Sequence, residues 1–78
     1  MEVNTTILKF KLNVIHDLDL RENAYNYILR IKSMSNEKIL ADIGLYLQCK
    51  TQERTELKLL YAIVLEYLNQ ELQFRSLL

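Results

Sequence analysis

The C-terminal half of the chain has the most regular pattern of apolar and polar positions. From residue 57 to residue 72, apolar side chains recur every three or four residues, which is the spacing of one helical face. The stripe comprises Leu57, Leu60, Tyr61, Val64, Tyr67, Leu68 and Leu72. It predicts a helix over residues 52–74, preceded by a polar connection at residues 50–52. Leu59 and Ile63 are expected on a separate face, so this helix would need cover on more than one side.

Two shorter helices are predicted before it. The first covers residues 20–34 and starts at a capping box formed by Asp19 and Glu22. Its apolar face is formed by Ala24, Tyr27, Ile28, Ile31 and Met34. The next helix is capped by Ser35 or Asn36 and extends to about residue 48. Its apolar face is expected to contain Ile39, Leu40, Ile43, Tyr46 and Leu47.

Residues 5–18 fit two structures. Leu8, Phe10, Leu12 and Val14 alternate with polar residues, which is typical of a strand. The same segment fits a helix with a contiguous polar arc on one side. A helix is favoured because a lone strand has no neighbour within the chain. The alternative is an extended segment that joins the sheet edge of a partner.

The remaining composition favours helices over sheets. The chain has no proline and one glycine, Gly44, so the residues that usually form β-turns are scarce. Its 78 residues leave room for one domain. We therefore predict an all-α fold, a single domain over residues 1–78, arranged as a small three- or four-helix bundle or a helical hairpin. A domain this small buries little surface, so association with a partner or a second copy is expected to support it.

Charge and hydropathy exclude several classes of protein. Lys and Arg balance Asp and Glu at ten each, whereas autonomous nucleic-acid binders usually have a basic excess. The longest uninterrupted apolar run, residues 59–65, is too short to cross a bilayer. The N-terminal residues do not resemble a signal peptide. A cytoplasmic protein with no membrane span is expected, in agreement with its single cysteine.

The sequence offers little chemistry. His16 is the only histidine and Cys49 the only cysteine, so a metal site of the usual ligand types is not indicated. A single glycine also excludes the glycine-rich motifs that bind nucleotide phosphates. We therefore expect no catalytic site, no metal and no cofactor, and interpret the protein as a non-enzyme.

Two segments resemble known families. Residues 52–68, QERTELKLLYAIVLEYL, resemble the C-terminal helix of the small co-chaperones that hold type III secretion needle subunits in the bacterial cytoplasm. This resemblance implies a helical hairpin that works inside a complex with other proteins. Residues 27–35, YILRIKSMS, are similar to the early region of the Hha-like modulators of nucleoid proteins. That resemblance implies a short helical modulator of transcription.

The leading interpretation is a protein-binding module, either a chaperone or adaptor or a regulator that sequesters its partner. The partner is expected to be another protein or a second copy of the chain. The rival interpretation is a nucleoid- or transcription-associated modulator that uses the basic residues between Lys9 and Lys38. Tyr25 lies outside the main stripe of its helix and near Leu29, as expected of an interface residue. The candidate partner-binding residues are Leu59, Ile63, Tyr25, Leu29 and Phe74.

The predicted second face of the last helix leads to a test. Changing both Leu59 and Ile63 to Glu should abolish self-association or partner binding, because charges would enter an apolar contact. Helicity should be retained, because Glu is a good helix former. Circular dichroism and light scattering together measure both outcomes. Loss of the fold in the isolated double variant would place these side chains in the internal core instead.

Overall fold

The residues that the structure describes form four α-helices. A computed structural model describes residues 2–49 and 54–76. The helices are α1 (Thr5–Leu12), α2 (Leu18–Arg30), α3 (Asn36–Cys49) and α4 (Thr55–Ser76), with a 3₁₀ turn at Ile31–Ser33. No strand occurs within these two described ranges, which confirms the all-α prediction and the four-helix arrangement. The predicted polar connection at residues 50–52 lies outside the described residues.

The helix starts follow from local capping. Asn4 Oδ1 accepts a hydrogen bond from the Ile7 amide at 3.0 Å and so begins α1. Ser35 Oγ accepts one from the Lys38 amide at 3.1 Å, as predicted for α3.

The predicted cap of α2 was wrong by two residues. Asp17, not Asp19, is the cap, and its Oδ1 accepts hydrogen bonds from the amides of Asp19 and Leu20. Asp17 has an extended backbone, with φ −69° and ψ 112°, which lets its side chain reach the first free amides of the helix. Asp19 lies inside the first turn, where its charge is favourable at the positive end of the helix dipole.

The core forms around α4. Each of the other three helices packs against it, and α3 runs antiparallel along it. Its buried apolar side chains include Leu60, Val64 and Leu68, as the stripe predicted. The other helices and the segment after α1 complete the core with Leu8, Leu12, Ile15, Ala24, Ile28, Ile31 and Ile39.

One part of the predicted core is wrong. Leu40 and Leu47 of α3 were expected inside, yet each is more than half exposed. Ile39 is buried, and Ile43 and Tyr46 pack at the margin of the core. Because α3 is covered on one side only, a narrow stripe is enough to attach it. The two leucines lie beyond that stripe.

Arg75 connects the end of α4 to the start of α3. Its Nη1 donates to Asn36 Oδ1 at 2.8 Å, and its Nη2 lies 3.2 Å from the carbonyl oxygens of Ile31 and Lys32. Its Nε donates to the buried carboxylate of Glu71 at 3.0 Å. The guanidinium therefore donates hydrogen bonds to carbonyl oxygens at the 3₁₀ turn, and the carboxylate of Glu71 balances its charge.

None of the helices in the described part of the chain is long and apolar enough to span a membrane.

The Arg75 contacts predict a specific loss of stability. Arg75→Lys keeps the positive charge but loses the planar fork that reaches several acceptors at once. We expect the free energy of unfolding to fall by about 2 kcal/mol, within the range for hydrogen bonds to charged groups. Urea unfolding followed by circular dichroism measures it. Arg30→Lys, at an exposed position on α2, is the control and should have no effect. Equal stability of the two variants would contradict this account.

Candidate protein-binding surfaces

Helix α1 is apolar on two sides. Leu8 and Leu12 are buried in the core, while Ile7 and Phe10 of the helix and Val14 in the turn just after it are exposed. We call these three residues the α1 outward face. Phe10 is 76% exposed, the largest exposed fraction among the large hydrophobic side chains of the described residues, and the other two are about half exposed. The strand-like alternation in the sequence therefore arises from a helix with apolar residues inside and outside.

Two lysines flank the α1 outward face. Lys11 Nζ pairs with Glu66 Oε1 at 2.7 Å and lies 5.0 Å from the centre of the Tyr67 ring. The hydrogen bond to Glu66 raises the pKa of Lys11 above its usual value. On the other flank, Lys9 Nζ lies 5.7 Å from the centre of the Tyr25 ring. Lys11 thus holds α1 on α4, and Lys9 connects it to α2.

A cleft of about 460 Å³ opens between α1 and α2. It is lined by Lys9, Leu12, Asn13, Leu18, Arg21, Glu22 and Tyr25. Leu18 is largely exposed, and Arg21 is held in place because its Nε donates to the Ile15 carbonyl oxygen at 2.9 Å. The cleft combines apolar walls with two cations and one carboxylate. Its volume falls in the range of pockets that accept a side chain or a small ligand.

A second apolar surface lies on α3. Leu40, Leu45 and Leu47 are each more than half exposed, and Gly44 lies between them. We call these four residues the α3 outward face. Apart from its own helix, no heavy atom of the described chain lies within 4 Å of the position that a Cβ on Gly44 would occupy. The sequence pattern did not predict this surface, because it placed Leu40 and Leu47 in the core.

One of the two carboxylates of α3, that of Asp42, is buried, whereas Glu37 in the first turn is exposed. Asp42 is only 7% exposed, and its Oδ2 accepts a hydrogen bond from the Tyr27 hydroxyl at 2.5 Å. Its Oδ1 lies 3.0 Å from Lys38 Nζ. Burial alone would raise the pKa of Asp42, but the hydrogen bonds from Tyr27 and Lys38 outweigh it and hold the pKa below its usual value. Burial and the bond to Asp42 raise the pKa of Tyr27, so its hydroxyl stays protonated.

A row of three tyrosine rings begins at the Tyr27 ring, whose hydroxyl binds this buried carboxylate. The Tyr27 and Tyr46 ring centres are 5.7 Å apart, and those of Tyr46 and Tyr61 are 5.5 Å apart. These distances suit tilted aromatic packing. The row connects α2, α3 and α4, and so fixes which face of α3 points outward.

The predicted binding residues do not form one surface. Leu59 and Phe74 are both 42% exposed, but they lie 15 positions apart, or about 22 Å along a helix. Tyr25 lines the cleft between α1 and α2. Leu29 is half-buried against the core.

The placement of Ile63 on a separate outward face is wrong, because it packs half-buried against the core. Several helices pack around this turn of α4. They therefore bury side chains outside the main apolar stripe of the helix as well as those within it. Glutamate at residue 63 is therefore expected to destabilise the fold, and only Leu59→Glu tests binding at the predicted face.

The other candidate chemistry is dispersed. His16 is exposed, and Cys49 is a half-buried free thiol at the end of α3. Within residues 2–49 and 54–76, no three His, Cys, Asp or Glu side chains are close enough to hold a metal ion. Of the basic residues between Lys9 and Lys38, Lys11 and Lys38 are paired with carboxylates.

No protein-family model matches this chain, and no curated protein or solved structure shows significant similarity to it.

The buried carboxylate predicts a pH dependence. The folded-state pKa of Asp42 is depressed, so its contribution to stability is present above the unfolded-state pKa of about 3.9 and is lost as pH falls through the lower folded value. Asp42→Asn should therefore flatten the acid side of the stability profile. Unfolding in urea at neutral pH and at about pH 3 measures this difference.

The hydroxyl of Tyr27 provides a companion test. Tyr27→Phe should raise the pKa of Asp42 and lower stability at neutral pH by about 2 kcal/mol, because a buried hydrogen bond to a charged group is lost. Tyr61→Phe is the matched control, since its ring packs on Tyr46 while no described residue bonds to its hydroxyl. Carboxyl NMR titration reports the pKa. An unchanged Asp42 pKa in Tyr27→Phe would contradict the role given to this bond.

Proposed function

We propose that this chain is a non-catalytic protein-binding module, a small chaperone or adaptor or a regulator that sequesters its partner, and that it binds through the α1 outward face. The observation that carries the proposal is the exposure of Phe10 on α1 together with Ile7 on the same helix and Val14 in the turn after it. Aromatic side chains are enriched at the centres of protein interfaces and in their binding hot spots. A helix with a contiguous apolar outer face suits such a contact.

The α1 outward face leaves apolar surface in contact with water. Full burial of a large apolar side chain is worth roughly 1.5–3 kcal/mol relative to its exposure. The α1 outward face forgoes about half of this free energy or more in the isolated chain, because all three of its side chains remain about half exposed or more. A partner that covers them would recover it.

The surroundings indicate the chemistry of that partner. Lys9 lies on one flank of α1, at the mouth of the cleft that also contains Arg21. An apolar segment bordered by carboxylates would cover Phe10 and place its acidic groups near these cations. The apolar walls formed by Leu12 and Leu18 could accept one of its side chains. Such charge matching favours the correct partner and its orientation.

A single exposed side chain tests the proposal. Phe10→Gln should leave stability within about 0.5 kcal/mol of the wild type, since it replaces an exposed residue with a good helix former. Partner affinity should fall at least about tenfold, a loss of about 1.4 kcal/mol. Capture from lysate of the native cell identifies the partner, and titration with the purified partner gives the dissociation constant.

Phe74→Gln is the matched control, because Phe74 is an exposed phenylalanine on a different helix, and the proposal assigns binding to the α1 outward face and no longer to Phe74. It should bind as the wild type does. Two results would contradict the proposal: equal binding by Phe10→Gln and the wild type, or retention on DNA that declines steeply with salt. The second result would favour the modulator of nucleic-acid-associated proteins instead.

A further inference from the structure

We propose that the α3 outward face pairs with the same face of a second copy of this chain, with the two α3 helices antiparallel. This contact is separate from the α1 outward face and does not depend on the function proposed above. The exposed residues of α3 from residue 40 to residue 48 are Leu40, Ala41, Gly44, Leu45, Leu47 and Gln48. None of them is ionisable.

The absence of charge on this face favours an identical partner. In a two-fold dimer a surface meets itself, so any net charge on it meets the same charge. Asp42 would have introduced such a repulsion, but its carboxylate is turned inward to Tyr27 and Lys38. Helix α1 differs, because it carries Lys9, whose Nζ lies over the Tyr25 ring, and two copies meeting there would bring these cations together. The α3 outward face is therefore the better suited of the two to self-association.

Gly44 provides a second argument. Glycine in the interior of a helix costs about 1 kcal/mol relative to alanine. Its φ is not positive, and no neighbouring part of the described chain approaches it, so nothing within one chain requires glycine here. The missing side chain instead creates a shallow notch between Leu40 and Leu47. A second helix can approach closely at this notch.

The antiparallel orientation follows from symmetry and dipoles. With the two-fold axis near Gly44, Leu40 of one copy lies beside Leu47 of the other copy, about one helical turn from the axis. Each leucine then packs next to the notch rather than against an equal bulge. The positive end of one helix also faces the negative end of the other, which is favourable.

The small size of the face limits the strength of the dimer. Three turns of one helix bury less than the 1,200–2,000 Å² or so of a standard stable interface. The dimer should therefore be weak and depend on concentration. Sedimentation equilibrium of the full chain should show a mass that rises from 9.3 kDa toward twice that value between micromolar and millimolar concentration.

Gly44→Gln is the decisive variant. It fills the notch with a good helix former at an exposed position, so the monomer should remain folded. We expect dimerisation to weaken at least about tenfold, or about 1.4 kcal/mol. The matched control is Ala62→Gln, which makes a similar small-to-large change at an exposed position of α4 and should leave dimerisation unchanged.

Cross-linking gives a second measurement. Gly44→Cys combined with Cys49→Ser should form a disulfide-linked dimer on mild oxidation, because the two residues at position 44 meet near the axis. Ala62→Cys combined with Cys49→Ser should not. The proposal is overturned by a wild-type chain that stays monomeric, by a dimer that survives Gly44→Gln, or by a dimer that Phe10→Gln abolishes. None of these experiments uses the partner of the α1 outward face, so the two proposals fail separately.

Discussion

The whole structure depends on the burial of one broad face of α4. The other three helices are 8, 13 and 14 residues long, lengths at which an isolated helix is marginal in water. Each of them gains stability by covering part of the arc that contains Leu60, Val64 and Leu68. Arg75, near the end of α4, and Glu66, in its middle, then hold the neighbouring helices in place, because they bind Asn36 of α3 and Lys11 of α1. The free energy of the fold is thus concentrated on a single helix.

This architecture explains why the surface is apolar in places. Three short helices around one long helix leave each short helix with an uncovered outer side. On α2 that side is polar, with Glu22, Asn26 and Arg30 exposed. On α1 and α3 it carries Phe10, Leu40 and similar residues, which no other element of the described part of the chain covers. The apolar surfaces are therefore a direct consequence of where the helices lie.

Sequence reasoning succeeded where a pattern was long and local. The stripe of α4 spans four turns, so its apolar face could be predicted, and the Ser35 cap follows from a contact three residues away. It failed where a distant contact decides the orientation. The hydrogen bond between Tyr27 and Asp42 joins residues 15 positions apart, and the sequence of α3 contains no sign of it. Since that contact orients α3, the exposure of Leu40 and Leu47 could not be predicted either. The segment that contains α1 was ambiguous for another reason. Its apolar residues lie on two sides of the chain, so they alternate with polar residues along the sequence as in a strand.

The burial of Asp42 also explains why the α1 and α3 outward faces differ in charge. An exposed acid between Leu40 and Leu47 would have made that part of α3 negative, and hence repulsive to its own copy and attractive to cations. Because Tyr27 and Lys38 hold Asp42 inside the protein, the α3 outward face carries no charge, and the exposed acid of this helix, Glu37, lies in its first turn. Helix α1 carries Lys9, whose Nζ lies 5.7 Å from the centre of the Tyr25 ring, and the ring leaves its charge able to pair with an acidic group. Charge position therefore distinguishes two surfaces of similar hydrophobicity. On this ground we propose an identical chain as the partner of the α3 outward face and an acidic segment as the partner of the α1 outward face.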